Sequence, residues 1–348
     1  MVRQQAPSAP ARTDTDRLLD LYRSMRRIRR FEETALLQSS LGKVHGALHL
    51  SVGQEAIAVG VCDSLRPTDY VASTHRGHAH CLAKGVPAKE MMAELFGRLN
   101  GSCKGRGGSM HIADFDRGVI GCNGVVAANL TVSAGVGEAL KLEGDGNIIV
   151  CFFGEGATNR GPFLEGLNLA ATWELPVLYV CEANGYAQYT AFANTSKELD
   201  VTKRAEALGI ETRSCDGMKV LDVQAAAREL IESIRGNSQP AFLLADTYRY
   251  LGHALGDPEY YRPREEIDAA RSRDPLKQAI EKFDEMGVDS KRIKKIDADV
   301  EQELEEALSF ADGGAIPEGS SVGEYVYSEG VRTRIGALGW EVLNGYPT

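Results

Sequence analysis

Two runs, Asn147-Ile-Ile-Val-Cys-Phe-Phe-Gly-Glu-Gly-Ala157 and Pro176-Val-Leu-Tyr-Val-Cys-Glu-Ala-Asn-Gly-Tyr186, frame the fold of this chain. Each opens with a short apolar segment and closes on glycine, the pattern of a strand buried on both faces of a parallel sheet. Between them, Phe163 to Trp173 has helical spacing, with Leu164, Leu167, Asn168 and Ala171 near one face. The whole is a strand-helix-strand unit of ordinary size, which predicts an α/β fold with a mostly parallel sheet and helices on both faces. In such a unit the loops after both strands lie on the same sheet edge, where ligands of open α/β sheets bind. Glu155 and Asn184 are therefore expected to meet. A carboxylate and an amide oxygen beside a backbone carbonyl form a hard-oxygen set suited to magnesium with diphosphate oxygens as further ligands. The glycines permit close backbone approach to phosphate, and a helix start near Ala157 favours negative charge. Gly-Glu-Gly alone is a common turn, and the similar Gly144-Asp145-Gly146 precedes a strand and reads as the turn into it. The pairing of Glu155 with Asn184-Gly185-Tyr186 across one helix is what sharpens the signal.

The 348 residues, 43% of them hydrophobic, permit a large core in one large domain or two ordinary ones. A net charge of −10 argues against nonspecific nucleic-acid binding. No apolar run is long enough for a membrane span. The seven scattered cysteines, without a Cys-x-x-Cys pair, read as reduced thiols of a cytoplasmic protein. Residues 1–13 read as a disordered tail, 14–327 as the α/β domain with peripheral helices, and 328–348 as an extension without a reading of its own.

Thr13-Asp-Thr-Asp16 signals a helix start, and Leu18, Leu21, Met25, Ile28 and Ala35 continue it to about Leu37. Arg23, Arg26, Arg27, Arg29 and Arg30 occupy the other face, which reads as solvated or as a protein contact. Tyr70 to Thr74 is a short strand ending in His75-Arg-Gly-His-Ala-His-Cys81. His75, His78 and His80 invite a zinc reading, but no carboxylate-histidine hydrolase pattern accompanies them. Histidines with Arg76 at a strand end suit an anionic ligand and proton transfer. The basic loop Cys103-Lys-Gly-Arg-Gly-Gly-Ser-Met-His111 lacks nucleotide P-loop spacing. Gly121-Cys-Asn-Gly-Val-Val126 reads as another glycine loop, leading into a small-residue helix from Ala134 to Leu142. Further strands are expected at Ile210 to Ser214 and Pro240 to Asp246, with helices at Val220 to Arg235, Asp274 to Met286 and Asp299 to Ala311. The long glycine-bearing loop Tyr248-Arg-Tyr-Leu-Gly-His-Ala-Leu-Gly-Asp-Pro258 carries His253 and reads as functional and mobile.

With these segments in order, the chain resembles the alpha subunit of the thiamine-diphosphate-dependent first component of 2-oxo acid dehydrogenase complexes, the pyruvate, branched-chain 2-oxo acid and acetoin dehydrogenase family. The resemblance spans roughly residues 15 to 327. It rests on His49-Leu-Ser-Val-Gly-Gln-Glu55, His75-Arg-Gly-His78, Lys104 to His111, the unit from Glu155 to Tyr186, and Tyr248-Arg-Tyr-Leu-Gly-His253. It implies a thiamine-diphosphate-binding fold. It implies magnesium held by the side chains of Glu155 and Asn184 and the carbonyl of Tyr186. Gly156, Ala157, Arg76 and His253 would contact the diphosphate, with His75 beside the cofactor where many relatives carry tyrosine. Gly124 and Val126 would hold the aminopyrimidine through their backbone. His253, His78 and His49 would be the catalytic histidines near the reacting end. Glu155 stands where many relatives have aspartate, Ala183 replaces the first asparagine of the usual pair, and Ala254 replaces a serine that mitochondrial relatives phosphorylate. Asn129 and Thr131 stand where glutamine and proline are common.

The implied activity is decarboxylation of a 2-oxo acid, or cleavage of acetoin, with the acyl unit passed to a lipoyl carrier. The activating glutamate would come from a separate beta subunit in a heterotetramer of two alpha and two beta chains. The alternatives are transketolase-like transfer of a two-carbon unit from a ketose to a carrier and, more remotely, a zinc hydrolase.

Overall fold

The computed structural model describes residues 13–325. Apart from Thr13, the expected N-terminal tail lies outside the described residues, as does the extension from Ser328.

The strands are β1 (Tyr70–Thr74), β2 (Val119–Asn123), β3 (Ile149–Gly154), β4 (Val177–Ala183), β5 (Tyr186–Ala187), β6 (Thr190–Ala191), β7 (Glu211–Asp216) and β8 (Ala241–Asp246). Six of them form one all-parallel sheet in the order β2-β1-β3-β4-β8-β7; β5 and β6 make a separate antiparallel hairpin. The longer helices are α1 (Asp14–Ser40), α2 (Glu55–Cys62), α3 (His78–Lys84), α4 (Ala88–Leu95), α5 (Ala128–Glu143) and α6 (Gly161–Thr172). They continue with α7 (Thr202–Glu206), α8 (Val220–Asn237), α9 (Arg264–Ser272), α10 (Pro275–Glu285) and α11 (Ser290–Asp312).

The apolar runs of β3 and β4 are buried on both faces because alternate side chains feed two cores. Val150, Phe152, Leu178, Val180 and Leu243 pack with α1, α2, α4 and α8. Ile149, Cys151, Phe153, Tyr179, Cys181 and Phe242 pack with α5 and α6 on the other side. Successive strands pair outward from the centre, β1 to β2 one way and β3 to β4 the other. The strand order therefore reverses between β1 and β3, and a crevice opens at their carboxyl ends.

The strand-helix-strand unit follows the expected pattern, with Ile149 opposite Val177 and Gly154 opposite Glu182. Its helix is rotated by one residue from the expected stripe. Phe163, Gly166, Leu167 and Ala170 are buried, whereas Leu164 is 54% exposed. Gly166 decides this, since a Cβ there would stand 2.8 Å from the Leu130 backbone of α5. Of the Gly121 to Val126 segment read as a loop, residues 121–123 belong to strand β2 at the sheet edge and 124–126 form a turn, and α11 begins nine residues before its expected start at Asp299. Helices α3, α4 and α9 and the β5-β6 hairpin have no counterpart in the sequence reading.

The arginine face of α1 is not left to solvent. Arg23, Arg26, Arg27 and Arg30 pair with Asp299, Asp297, Glu303 and Glu301 of α11 at 2.9, 3.1, 2.9 and 2.6 Å. Single pairs this exposed contribute little, but the ladder sets the register of two long helices. Arg29 is different. It is nearly buried and bridges Glu55 at 2.5 Å and Asp274 at 2.8 Å, tying α1 to the starts of α2 and α10. Burial opposes its charge, yet the Glu55 carboxylate outweighs that and raises its pKa.

The rotated helix face gives a direct test. Leu167→Ala should destabilise the chain by about 2–5 kcal/mol, and Leu164→Ala by less than about 0.5 kcal/mol. Denaturant unfolding of the two purified variants measures the contrast; equal losses would place the buried stripe where the sequence pattern put it.

Candidate active site

A cavity of about 350 Å³ occupies the crevice at the strand-order reversal. Ser73 to Arg76 reach it from β1, Asn123 to Val126 from β2, Gly154, Gly156 and Ala157 from β3, and Glu182, Asn184 and Tyr186 from β4. His49, Gln54, Arg249 and His253 come from the segments crossing above the sheet. Of the site residues named from sequence, all line the cavity except His78 and Glu155, the latter set between Gly154 and Gly156, which do line it.

Glu155 follows β3 directly and is 2% exposed. Its Oε2 accepts the Asn184 backbone N–H at 3.1 Å, while its Oε1 is buried without a hydrogen-bond partner among the described residues. Burial pushes its pKa up to about 7, against the opposing pull of backbone N–H groups and Arg249. A buried carboxylate with one oxygen unpartnered among the described residues has the donor character that a hard cation would fit. Asn184 donates through Nδ2 to Gln54 Oε1 at 3.1 Å and accepts the Tyr186 N–H on Oδ1 at 3.2 Å. Gly156 is required by space, because a Cβ there would sit 2.5 Å from the Cβ of Ala187.

The opposite charge is equally uncompensated. Arg76 is buried, and its guanidinium donates only to the carbonyls of Leu50 and His253. Arg249 donates to the carbonyls of Leu251 and Gln188 and to the Tyr261 hydroxyl. Neither has a carboxylate in salt-bridge range among the described residues. Burial, then mutual repulsion, lowers the Arg76 pKa to about 9, and burial lowers that of Arg249. Two buried guanidiniums facing one cavity with only neutral partners form an anion site.

The histidines rearrange relative to the sequence expectation. His75, His78 and His80 do not converge on a metal. His78 is fully buried, between Glu32 Oε2 at 2.8 Å and Ser109 Oγ at 2.9 Å. Burial would depress its pKa, but the Glu32 carboxylate outweighs that and raises it. His80 bonds Ser73 Oγ through Nδ1 and stacks on Phe152. The rings that do meet are His49, His75 and His253, with centroids 4.7 to 5.4 Å apart. Burial and the adjacent Arg76 lower all three pKa values, to about 4 for His49 and His253. These are neutral imidazoles, and the neighbouring guanidiniums disfavour a zinc ion on them.

The rim is shaped by its second layer. Asn129 Nδ2 donates to the carbonyls of Ser73 and Gly121, joining the ends of β1 and β2 at the position that departs from the usual glutamine. Gly124 and Val126 lie on the exposed turn between β2 and α5, closed by Ala127 at φ 74°, a strained conformation of the kind that persists at binding sites. The basic glycine loop wraps around buried Glu94, whose carboxylate accepts the N–H groups of Cys103, Gly105, Gly107 and Gly108. The segment carrying His253 is cross-braced: the Asp257 carboxylate accepts the His253 N–H, the Glu259 N–H and the Tyr261 hydroxyl. Sequence reasoning missed Glu32, Gln54, Glu94, Glu182 and Arg249 as site residues. Glu182 alone had a signal, a carboxylate ending an apolar strand two residues before Asn184.

Fold and cavity together define an α/β protein with a crevice at the carboxyl ends of its strands, where two buried guanidiniums stand near a buried carboxylate. Residues 23–319 match the family described as dehydrogenase E1 component. The chain is 40% identical over 313 residues to the alpha subunit of acetoin:2,6-dichlorophenolindophenol oxidoreductase of Bacillus subtilis, covering 90% of this chain and 94% of that protein. It is 39% identical over 315 residues to the pyruvate dehydrogenase E1 component subunit alpha of Zymomonas mobilis, covering 89% of each. The chain belongs to the dehydrogenase E1 component family, whose cofactor is thiamine diphosphate.

The raised Glu155 pKa predicts a pH signature without any ligand. Between its ordinary value of 4.5 and about 7, the folded chain binds a proton that the unfolded chain releases, so this group's contribution to stability falls as pH rises through that window. Glu155→Gln should therefore leave the cofactor-free protein's stability unchanged near pH 4.5 and increase it at pH 8 by on the order of 3 kcal/mol. Thermal unfolding at both pH values measures it; an equal effect at both would refute the assignment.

Proposed function

We propose that residues 14–327 form the diphosphate-binding half of a thiamine-diphosphate enzyme that decarboxylates a 2-oxo acid or cleaves acetoin and passes the acyl unit to a lipoyl carrier. The carrying observation is the placing of two uncompensated guanidiniums, Arg76 and Arg249, on the wall of one cavity, with a buried carboxylate, Glu155, between the wall residues Gly154 and Gly156 and with one oxygen unpartnered among the described residues. A diphosphate with a divalent cation supplies what each lacks. Magnesium fits the donor set, with the Glu155 carboxylate, Asn184 Oδ1 and the Tyr186 carbonyl as hard-oxygen ligands. Arg76, Arg249 and the backbone at Gly156 and Ala157 hold the diphosphate, and the backbone at Gly124 and Val126 holds the ring at the other end. When bound, thiamine diphosphate supplies the carbon nucleophile and the electron sink for breaking a carbon-carbon bond.

The chain's own residues bind, orient and move protons. His49, His75 and His253 sit beside the guanidiniums as neutral bases, and His49 Nδ1 is buried with no partner among the described residues. Each can accept a proton from substrate and return it without carrying a resting charge into the cavity. His78 acts through Ser109 and the basic glycine loop rather than on substrate. Leucine and valine side chains at Val125, Val126 and Leu164 remain exposed, apolar surface for a beta subunit that would enclose the ring end. The names of both relatives as alpha subunits support such a partner, and the assembly proposed is a heterotetramer of two alpha and two beta chains.

Cofactor binding by the assembled enzyme should require magnesium. Glu155→Ala should weaken it by about 100-fold, and Arg249→Met by a similar factor. Calorimetric titration with thiamine diphosphate, with and without chelator, measures both; undiminished affinity in either variant or in chelator would refute the site. The chain alone should turn over no substrate, because the exposed ring end lacks a water-excluding wall. Adding the beta subunit should restore turnover, and substantial activity of the isolated chain would count against the shared site.

A further inference from the structure

We propose that Glu182 and Gln54 form a polarity relay that fixes which way the Asn184 carboxamide points, so that its oxygen rather than its nitrogen is presented for metal ligation. The inference rests on the reading of Glu155 and Asn184 as cation ligands.

A carboxamide has two chemically opposite ends of nearly the same size. Only the oxygen can ligate a hard cation, and a turned amide would aim two N–H donors at it. Something must therefore choose the rotamer. The Tyr186 N–H, 3.2 Å from Asn184 Oδ1, favours the oxygen on one side. A second constraint comes from the other side. Gln54, 1% exposed at the start of α2, accepts Asn184 Nδ2 on its Oε1 at 3.1 Å. That contact forces Asn184 to turn its nitrogen toward Gln54, provided Gln54 itself cannot turn.

Glu182 prevents the turn. It is 4% exposed at the end of β4, and its Oε1 accepts Gln54 Nε2 at 3.3 Å. A carboxylate only accepts, so it demands the nitrogen end of Gln54. His80 Nε2 stands 3.3 Å from the same oxygen, and His80 Nδ1 is bound to Ser73 Oγ, which fixes the ring. The sequence of constraints is acceptor, then donor and acceptor, then donor and acceptor, running from Glu182 through Gln54 to Asn184. Reversing any member leaves two donors or two acceptors face to face in a buried place. Neither Glu182 nor Gln54 is proposed to touch the cation or the reacting atoms; both are positioning residues.

The near-isosteric Glu182→Gln variant tests this, since an amide at that position satisfies either orientation of Gln54. The probe ion is Mn2+, titrated into the assembled enzyme with thiamine diphosphate and followed by the electron paramagnetic resonance signal of the free ion. Mn2+ affinity should fall about tenfold or more in Glu182→Gln. The apparent KM for Mg2+ should rise in step, and by a larger factor than kcat at saturating Mg2+ falls, a split that general structural damage would not give. Gln54→Met, which removes both contacts at similar volume, should weaken Mn2+ binding at least as much, and the double variant should be no weaker than Gln54→Met alone. Should Glu182→Gln not assemble, Gln54→Met carries the test. Unchanged Mn2+ affinity in either single variant, or strictly additive losses, overturns the relay. Failure of the unmodified enzyme to take up one Mn2+ per site in the presence of cofactor overturns the metal reading instead, and the relay with it.

Discussion

The structure is organised by charges that are buried without their counter-charges. Arg76 and Arg249 line the cavity bonded only to neutral groups, and Glu155 is buried between the wall residues Gly154 and Gly156 with one oxygen unpartnered among the described residues. Each is costly alone, and they do not neutralise one another directly. The cofactor-free state is held in this arrangement by a sheet whose central strands are fully buried, so the side chains at their carboxyl ends cannot swing out to water. Under the proposed function, that unmet charge is what a ligand carrying both an anion and a bound cation would meet.

Holding such a site open takes support from residues far from it. Arg29 joins α1 to Glu55 and Asp274, and Glu55 also accepts the Gly53 N–H, which fixes the turn leading into Gln54. Glu32 of α1 holds His78 and, through Ser51, the segment that follows His49. Glu94 gathers four backbone N–H groups of the basic loop, and Asp257 braces the segment with His253. In each case an acidic side chain satisfies irregular backbone or an orienting base that would otherwise be unpaired. The loops around the cavity are therefore long in sequence but closely specified in space.

The three neutral histidines and the cationic pair divide the work of one concave surface. Burial, with the guanidiniums adding to it, lowers the pKa of the imidazoles, and under the proposed function they would exchange protons beside the anion. His75, His78 and His80 do not converge, although their spacing invites it. Instead α3 starts at His78, and its first turn carries His78 and His80 away from the cavity into the core.

By itself the sequence determined the α/β class, the central strand-helix-strand unit, and the meeting of Glu155 with Asn184. These follow from apolar runs ending at glycine and from the rule that successive parallel strands end on one edge, both local in the chain. It also carried enough motifs in order for the family to be legible. Tertiary structure decided the rest, for reasons of distance. The buried stripe of α6 depends on Gly166 meeting Leu130, an approach that hydrophobic spacing cannot register. The arginine face of α1 found its acids on α11, some 270 residues away, and the sequence could not choose between solvent and a protein contact for it because its partners are not local. Which histidines face the cavity, and the placing of Arg249, Gln54 and Glu182 there, depended on segments from several parts of the chain arriving at one crevice. Hydrogen-bond polarity and uncompensated charge are properties of that assembled space and have no expression in any single stretch of sequence.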